Sequence, residues 1–210
     1  MRSDVEIIAQ WIRPGSHVLD LGCGDGSLLA HLAASRGVAG YGIEIDHDEI
    51  RACIGKGVNV IEQDIDGGLR NFDDQSFDTV VMTQALQALH NPHLVIGEML
   101  RVGREAIVTF PNFGHWRPRL QLTFRGRMPI SESLPHQWYD TPNIHLCTFR
   151  DFEMLCRDNG WHVLDRLVAD GNHREGTLMQ AFPNLLGEIA IYRLTRRQAG
   201  QAITCQHHDR

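Results

Sequence analysis

Over the first hundred residues, short apolar runs that suit a buried strand alternate with apolar residues at i, i+3, i+4 spacing that suit one helix face. Ile7, Ile8, Trp11 and Ile12 mark a first helix, opened by a Ser3-x-x-Glu6 capping box and stopped by Pro14-Gly15. "HVLDL" at 17–21 is a short buried strand, after which Leu28, Leu29, Leu32 and Ala33 take helical spacing until Gly37. "GYGIEI" is a second strand, and Asp46-x-x-Glu49 caps a helix carrying Ile50, Cys53 and Ile54. "VNVIEQ" and "SFDTVVM" are the third and fourth strands. Asn91-Pro92 opens a helix with Leu94, Val95 and Met99, because proline suits the first helical turn, and "EAIVTF" is the fifth strand.

Strand and helix therefore alternate from residue 1 to 110, with connections short enough for right-handed crossovers. That pattern predicts an α/β fold, a parallel sheet with helices on both faces. After Pro111 the rhythm breaks. Residues 111–147 hold five of the eight prolines together with Trp116 and Trp138, and so long and aromatic a segment predicts a lid or a partner surface. Thr148-x-x-Asp151 restarts a helix with Phe149, Phe152, Leu155 and Cys156, and "WHVLDRLVAD" and "EIAIYRL" form two closing strands. From Gln198 the chain is polar and aperiodic. Residues 1–197 thus read as one domain with an insertion at 111–147, and 198–210 as a flexible tail.

Composition narrows the class. The chain has 210 residues, 42% apolar and 22% charged, within the range of ordinary globular proteins. Its net charge of −6 argues against a nucleic-acid or anionic-membrane partner. The start, "MRSDVEIIAQW", lacks the apolar core of a signal peptide, and no apolar run approaches the roughly 18 residues of a membrane span. Five scattered cysteines (Cys23, Cys53, Cys147, Cys156, Cys205) with no C-x-x-C pair point to reduced thiols and a cytoplasmic protein. Of twelve histidines, only His90 and His93 in "HNPH" have a ligand-like spacing, and they lack acidic or thiol company, so no metal site is expected.

The chemistry concentrates in "HVLDLGCGDGSLLAHL", residues 17–32, where Gly22, Gly24 and Gly26 connect a strand to a helix. Such a turn lets a ligand approach bare backbone. The spacing is G-x-G-x-G, unlike the G-x-G-x-x-G of dinucleotide folds, and Asp20 lies two residues before the first glycine. An acid there suits a ligand bearing an ammonium group rather than a diphosphate. Glu44, ending the second strand, is placed to accept both hydroxyls of a ribose. Asp64, after the third strand, is placed to receive an adenine amino group, with Ile45 or Ile65 against the ring. Each acid alone would pass for a cap, but three acids after three successive strands favour S-adenosylmethionine over NAD.

"VLDLGCGDG", "GIEI" and "QDI" resemble the nucleoside-binding motifs of class I S-adenosylmethionine-dependent methyltransferases, over residues 3 to about 195. The resemblance implies a Rossmann-like, doubly wound, seven-stranded, mostly parallel sheet whose last strand is antiparallel. It also implies S-adenosylmethionine or S-adenosylhomocysteine held by Asp20, Gly22, Cys23, Gly24, Gly26, Glu44, Ile45, Asp64, Ile65 and Gln84. More narrowly, "TFPNFGHWRPRLQL", "GRMP" and "WYDTPNIHLCTFRDFE", with "RVG" and "NVIEQDID", resemble the MetW family of methionine biosynthesis proteins. That resemblance implies a cytoplasmic partner of a MetX-type homoserine O-acyltransferase, whose activity it supports.

Catalysis is not legible in the residues. Methyl transfer asks mainly for alignment, exclusion of water and at times a base. After the fourth strand stands "TQALQALHNP", without the Asn/Asp-Pro-Pro-Tyr/Phe motif that gathers an amino nucleophile, and Pro111-Asn112 carries the reversed order. His90, His115, His136 and Tyr139 have base chemistry, but none is assigned a catalytic role. One reading is an accessory protein whose insertion docks on the acyltransferase. Arg117, Arg119, Arg125 and Arg127 would then face an acidic patch, with Trp116, Leu120, Leu122 and Trp138 as apolar anchors. The alternative is an active methyltransferase on an unidentified small metabolite.

Overall fold

The computed structural model describes residues 3–131, 134–169 and 177–196. Its first half comprises α1 (Ser3–Trp11), β1 (His17–Leu21), α2 (Ser27–Arg36), β2 (Ala39–Glu44), α3 (His47–Gly55), β3 (Val60–Glu62), β4 (Phe77–Thr83), α4 (Pro92–Val102) and β5 (Gly103–Pro111). Its second half adds α5 (Trp116–Arg125), α6 (Phe149–Asp158), β6 (Trp161–Ala169), α7 (Thr177–Ala181), α8 (Pro183–Leu186) and β7 (Ile189–Arg196).

The strands form one seven-stranded sheet in the order β3-β2-β1-β4-β5-β7-β6. β1 to β5 pair in parallel, and β7 runs antiparallel to both of its neighbours. Alternation along each strand splits the core in two. Leu19, Leu21, Val80, Met82, Val108 and Phe110 pack with Val95 and Met99 of α4 and Phe149 and Phe152 of α6. Val18, Val81 and Ile107 pack on the other face with Ile8 and Ile12 of α1 and Leu28, Leu29 and Leu32 of α2. Strand order reverses between β1 and β4, which makes their carboxyl ends the switch point where doubly wound sheets receive ligands.

The helix stops follow local chemistry. Asp46 accepts the Asp48 and Glu49 amides, Thr148 and Asp151 close a capping box, and left-handed Gly37 donates to Ala33 and Leu32. Ser3 is already helical, so the helix starts earlier than a cap at Ser3 allows. Ile54 and Leu94, expected on buried faces, are 65% and 60% exposed, because α3 buries only Cys53 and α4 turns Val95, Ile96 and Met99 inward. α5 falls inside the proline-rich segment 111–147, where no helix was expected. Pro118 occupies its first turn, where the missing amide would have no helical partner anyway. α7 and α8 are too short, at five and four residues, to leave a periodic signal. The tail expected at 198–210 lies outside the described residues. Among the described residues no helix is long and apolar enough to cross a membrane, and no group of three or more His, Cys, Asp or Glu could hold a metal.

Candidate functional site

β1 leaves the sheet and enters α2 within five residues, and Gly22, Gly24 and Gly26 do so with φ of 67°, 52° and 73°. Only glycine adopts such angles without strain. Their surroundings differ. A Cβ on Gly22 would lie 3.2 Å from Ala85 Cβ, and one on Gly26 would lie 2.8 Å from Cys53 Sγ. A Cβ on Gly24 would meet nothing within 4 Å. Gly22 and Gly26 therefore also serve the protein's own packing, while Gly24 presents bare backbone to open space.

Glu44 holds this loop. Its Oε2 accepts the Gly24 amide at 2.8 Å, and its Oε1 accepts the Ile45 and Asp46 amides at 2.8 and 3.0 Å. A carboxylate offers roughly four lone-pair positions, so backbone donors leave about one for a ligand. Beside Glu44, Ile45 is 61% exposed with an open apolar face, whereas Ile65 packs against the core. Asp64 is exposed and caps the short turn Ile65–Gly67 by accepting the Asp66 amide at 2.9 Å. Gln84, just past β4, takes φ of 56° and donates its amide to Thr109 O and Oγ1 at 3.0 and 3.1 Å.

Asp20 is the anomaly of the site. It is 1% exposed, and neither carboxylate oxygen has a hydrogen-bond partner. Burial first, and the Glu44 charge second, push its pKa up to about 8. The side chain lines a cavity of about 630 Å³ together with Val5, Cys23, Asp25, Ser27, Leu28, Ala30, His31, Lys56 and Thr83. Burying an unpartnered carboxyl is costly unless some donor meets it, and an ammonium group is a chemically matched donor.

Several of these lining residues escaped the sequence reading. Lys56 contacts the Asp25 carboxylate and donates to Ser27 Oγ at 2.7 Å. With Ser27, it holds Asp25 down to about 2. Asp25 lies between two of the loop glycines and was within reach of the motif, whereas Lys56 stands 31 residues away with no local signal. Cys23 faces inward. Its Sγ is 3.7 Å from Cys53 Sγ, and Cys53 in turn donates to Gly24 O at 3.1 Å. Burial pushes both thiols up. A Cβ on Gly42 would lie 2.3 Å from Cys23 Sγ, so the thiol occupies the room that this glycine leaves.

The candidate bases are drawn into structural contacts or into solvent. His90 Nδ1 pairs with Asp66 at 2.9 Å on the surface, which raises its pKa. His115 is buried 3.8 Å from Glu188, but that carboxylate is shared with Arg117 at 3.3 Å. Burial, then the Arg117 charge, lower the imidazole to about 4, so it is neutral at physiological pH. His136 and Tyr139 are exposed. Asn112 is a latch: its amide donates to Gly187 O at 2.7 Å and accepts from Gly114 N at 2.9 Å. Gln87, in the turn Leu86–Ala88, is 2% exposed and donates to Pro111 O at 3.0 Å. Its own carbonyl accepts the Ile144 and His145 amides at 2.9 and 3.0 Å.

Comparison with known proteins agrees with this architecture. The family model described as methionine biosynthesis protein MetW matches residues 2–194. The bifunctional methionine biosynthesis protein MetXA/MetW of Rhodopirellula baltica is 38% identical over 197 residues, 90% of this chain and 32% of that protein. The chain thus spans about a third of the length of that curated relative. A SAM-dependent methyltransferase from Archaeoglobus fulgidus has a TM-score of 0.68 at 14% identity, covering 93% of this chain and 92% of that one. An S-adenosylmethionine-dependent methyltransferase from Mesorhizobium loti gives 0.66 at 14%, covering 91% and 96%. At those identities the likeness is one of fold, the Rossmann-like sheet of class I methyltransferases.

Proposed function

The chain belongs to the MetW family of methionine biosynthesis proteins, and we propose that it is a cytoplasmic S-adenosylmethionine-binding partner of a MetX-type homoserine O-acyltransferase. Asp20 carries the ligand reading: a buried carboxyl without a partner, on a cavity at the switch point of the sheet. The carboxyl would meet the ligand's ammonium group. Gly24 would lie against its backbone-facing side, the remaining capacity of Glu44 would take a ribose hydroxyl, and Ile45 with Asp64 would receive the adenine. Gly22, Gly26 and Cys23 shape the loop, and Ile65 and Gln84, just past the ends of β3 and β4, would complete the ligand's surroundings. The demethylated S-adenosylhomocysteine keeps the same ammonium and nucleoside groups and would use the same contacts.

The fused relative supports the partnership, since its printed name joins MetXA and MetW in one protein. When bound, S-adenosylmethionine supplies either an activated methyl group or a concentration signal. The signal reading is favoured because the candidate bases are tied into structural contacts or stand in solvent. The second reading, a methyltransferase acting on a small metabolite, rests on the shared fold of the A. fulgidus and M. loti enzymes.

The deciding experiment assays the acyltransferase with and without this protein while S-adenosylmethionine is titrated. A stoichiometric complex with altered acyl transfer supports the accessory role. Labelled methyl transfer into a metabolite extract, with an indifferent acyltransferase, would replace it by the enzymatic one.

A further inference from the structure

Ten of the nineteen exposed large apolar side chains among the described residues lie between β5 and α6. α5 is the centre of this surface. Of its ten residues only Pro118 is buried. Trp116, Leu120 and Phe124 recur every four residues, forming one stripe along the helix, and are 40%, 44% and 79% exposed. A helix of ten residues is below the length that holds its form in water without packing, so the stripe calls for a covering surface.

The surface continues beyond the helix. The Gln121 side chain brackets Ile130, accepting its amide at 3.1 Å and donating to its carbonyl at 3.2 Å. A groove of about 750 Å³ opens beside this bracket, lined in part by Arg125, Arg127, Met128, Trp138 and Tyr139. The Trp138 and Tyr139 rings meet edge to face, 5.7 Å apart, and both are more than two-thirds exposed. Arg117 and Arg119 are committed to Glu188 and to Gly114 O. Arg125 and Arg127 stand exposed at the groove, with no carboxylate partner among the described residues.

We propose that this face, the α5 stripe with its arginine-rimmed groove, is where the acyltransferase docks through an apolar ridge edged with carboxylates. The proposal rests on the accessory reading above and assigns its surface. Three features favour this occupant. A relative carries MetXA and MetW in one chain, which keeps two such bodies at high effective concentration. A second copy of this chain would bring Arg125 and Arg127 against their own equivalents across a two-fold axis, a like-charge contact. The groove is concave and fits a protruding side chain better than it fits the plane of a bilayer.

The test measures binding of the full chain to the MetX-type acyltransferase of its own organism by surface plasmon resonance. Phe124→Ala and Leu120→Ala should each weaken binding at least ten-fold, and Arg125→Glu should weaken it and flatten its salt dependence. Ile54→Ala, at an exposed apolar residue of α3, should leave it unchanged, as should all variants the thermal unfolding midpoint. Wild-type affinity in Phe124→Ala, Leu120→Ala and Arg125→Glu would overturn the docking face and leave the accessory reading standing. No wild-type binding at all would overturn both. Two further arms cover the other occupants: sedimentation velocity, and vesicles of one part phosphatidylglycerol to three parts phosphatidylcholine. A Phe124-dependent dimer or Phe124-dependent vesicle binding, with acyltransferase binding intact in the variant, would give the face to a second copy or to lipid.

Discussion

Glu44 Oε2 lies 2.8 Å from the Gly24 amide, which fastens the glycine loop after β1 to the end of β2. Removing the carboxylate loses that bond, the bonds to Ile45 and Asp46, and the candidate ribose contact together. Glu44→Ala should lower S-adenosylmethionine affinity about 10–150-fold, the scale of roughly 1.5–3 kcal/mol for hydrogen bonds to a charged group. Gly24→Val should abolish binding, since it fills the open space before the loop and strains a φ of 52°. Calorimetry that finds normal affinity in both variants would move the site elsewhere.

Asp20 gives a pH signature. Its pKa of about 8, raised by burial and then by Glu44, leaves it protonated in the folded chain at neutral pH, while the unfolded carboxyl ionises near 3.8. Between those values the folded state holds a proton that the unfolded state has released. Its contribution to stability therefore falls as pH rises through that window and is level above it. Asp20→Asn removes the slope, so denaturant unfolding should favour the variant over wild type more at about pH 8 than at about pH 5. A bound ammonium would ionise Asp20, so ligand affinity should rise with pH up to about 8 with release of a proton. Titration in buffers of different ionisation enthalpy reads that proton, and its absence in wild type would sever Asp20 from the ligand.

The thiol pair beneath the loop predicts a coupling between distant positions in the sequence. Gly42→Ala sets a Cβ 2.3 Å from Cys23 Sγ and should destabilise by about 1–3 kcal/mol through overpacking. Cys23→Ala in the same chain should recover much of that loss, although the Cβ of residue 23 stays within 2.9 Å. A double-mutant cycle with simply additive effects would show that the clash relaxes elsewhere.

If the nucleoside is a signal, it must bind the free protein and the acyltransferase complex unequally. A coupling of about 1–3 kcal/mol would separate the two half-saturating concentrations by roughly 5–150-fold. Titrating S-adenosylmethionine into both, while following acyl transfer, measures that separation. Equal affinities and an unresponsive acyltransferase would leave a structural ligand or an unfound methyl acceptor.

The parts of this molecule legible in sequence are those whose cause is local. "HVLDL", the loop glycines, the Asp46 and Thr148 caps and the left-handed Gly37 each carry their reason within a few residues. Glu44 and Asp64 stand out because one ends β2 and the other follows β3, whereas Asp20 lies one residue inside β1 and stands out only by its spacing from Gly22. What escaped depends on partners far along the chain. The need for glycine at 42 comes from Cys23, Cys53 adds a packing constraint at Gly26 beyond its own φ, and Lys56 reaches the site only once α3 is folded against the loop. α5 was hidden by its own proline, and the exposure of Ile54 and Leu94 is decided by which side of a helix the sheet accepts.

The turn after β4 is a party wall. On one side Ala85 packs against Gly22, close enough that a Cβ there would sit 3.2 Å away. On the other side, two residues later, Gln87 holds Pro111, Ile144 and His145, the two ends of the segment that carries α5. A change made to this turn to suit one neighbour is felt by the other. Lineages that remodel the outer segment should therefore show compensating replacements between residues 85 and 87, and a nucleoside affinity that drifts with them.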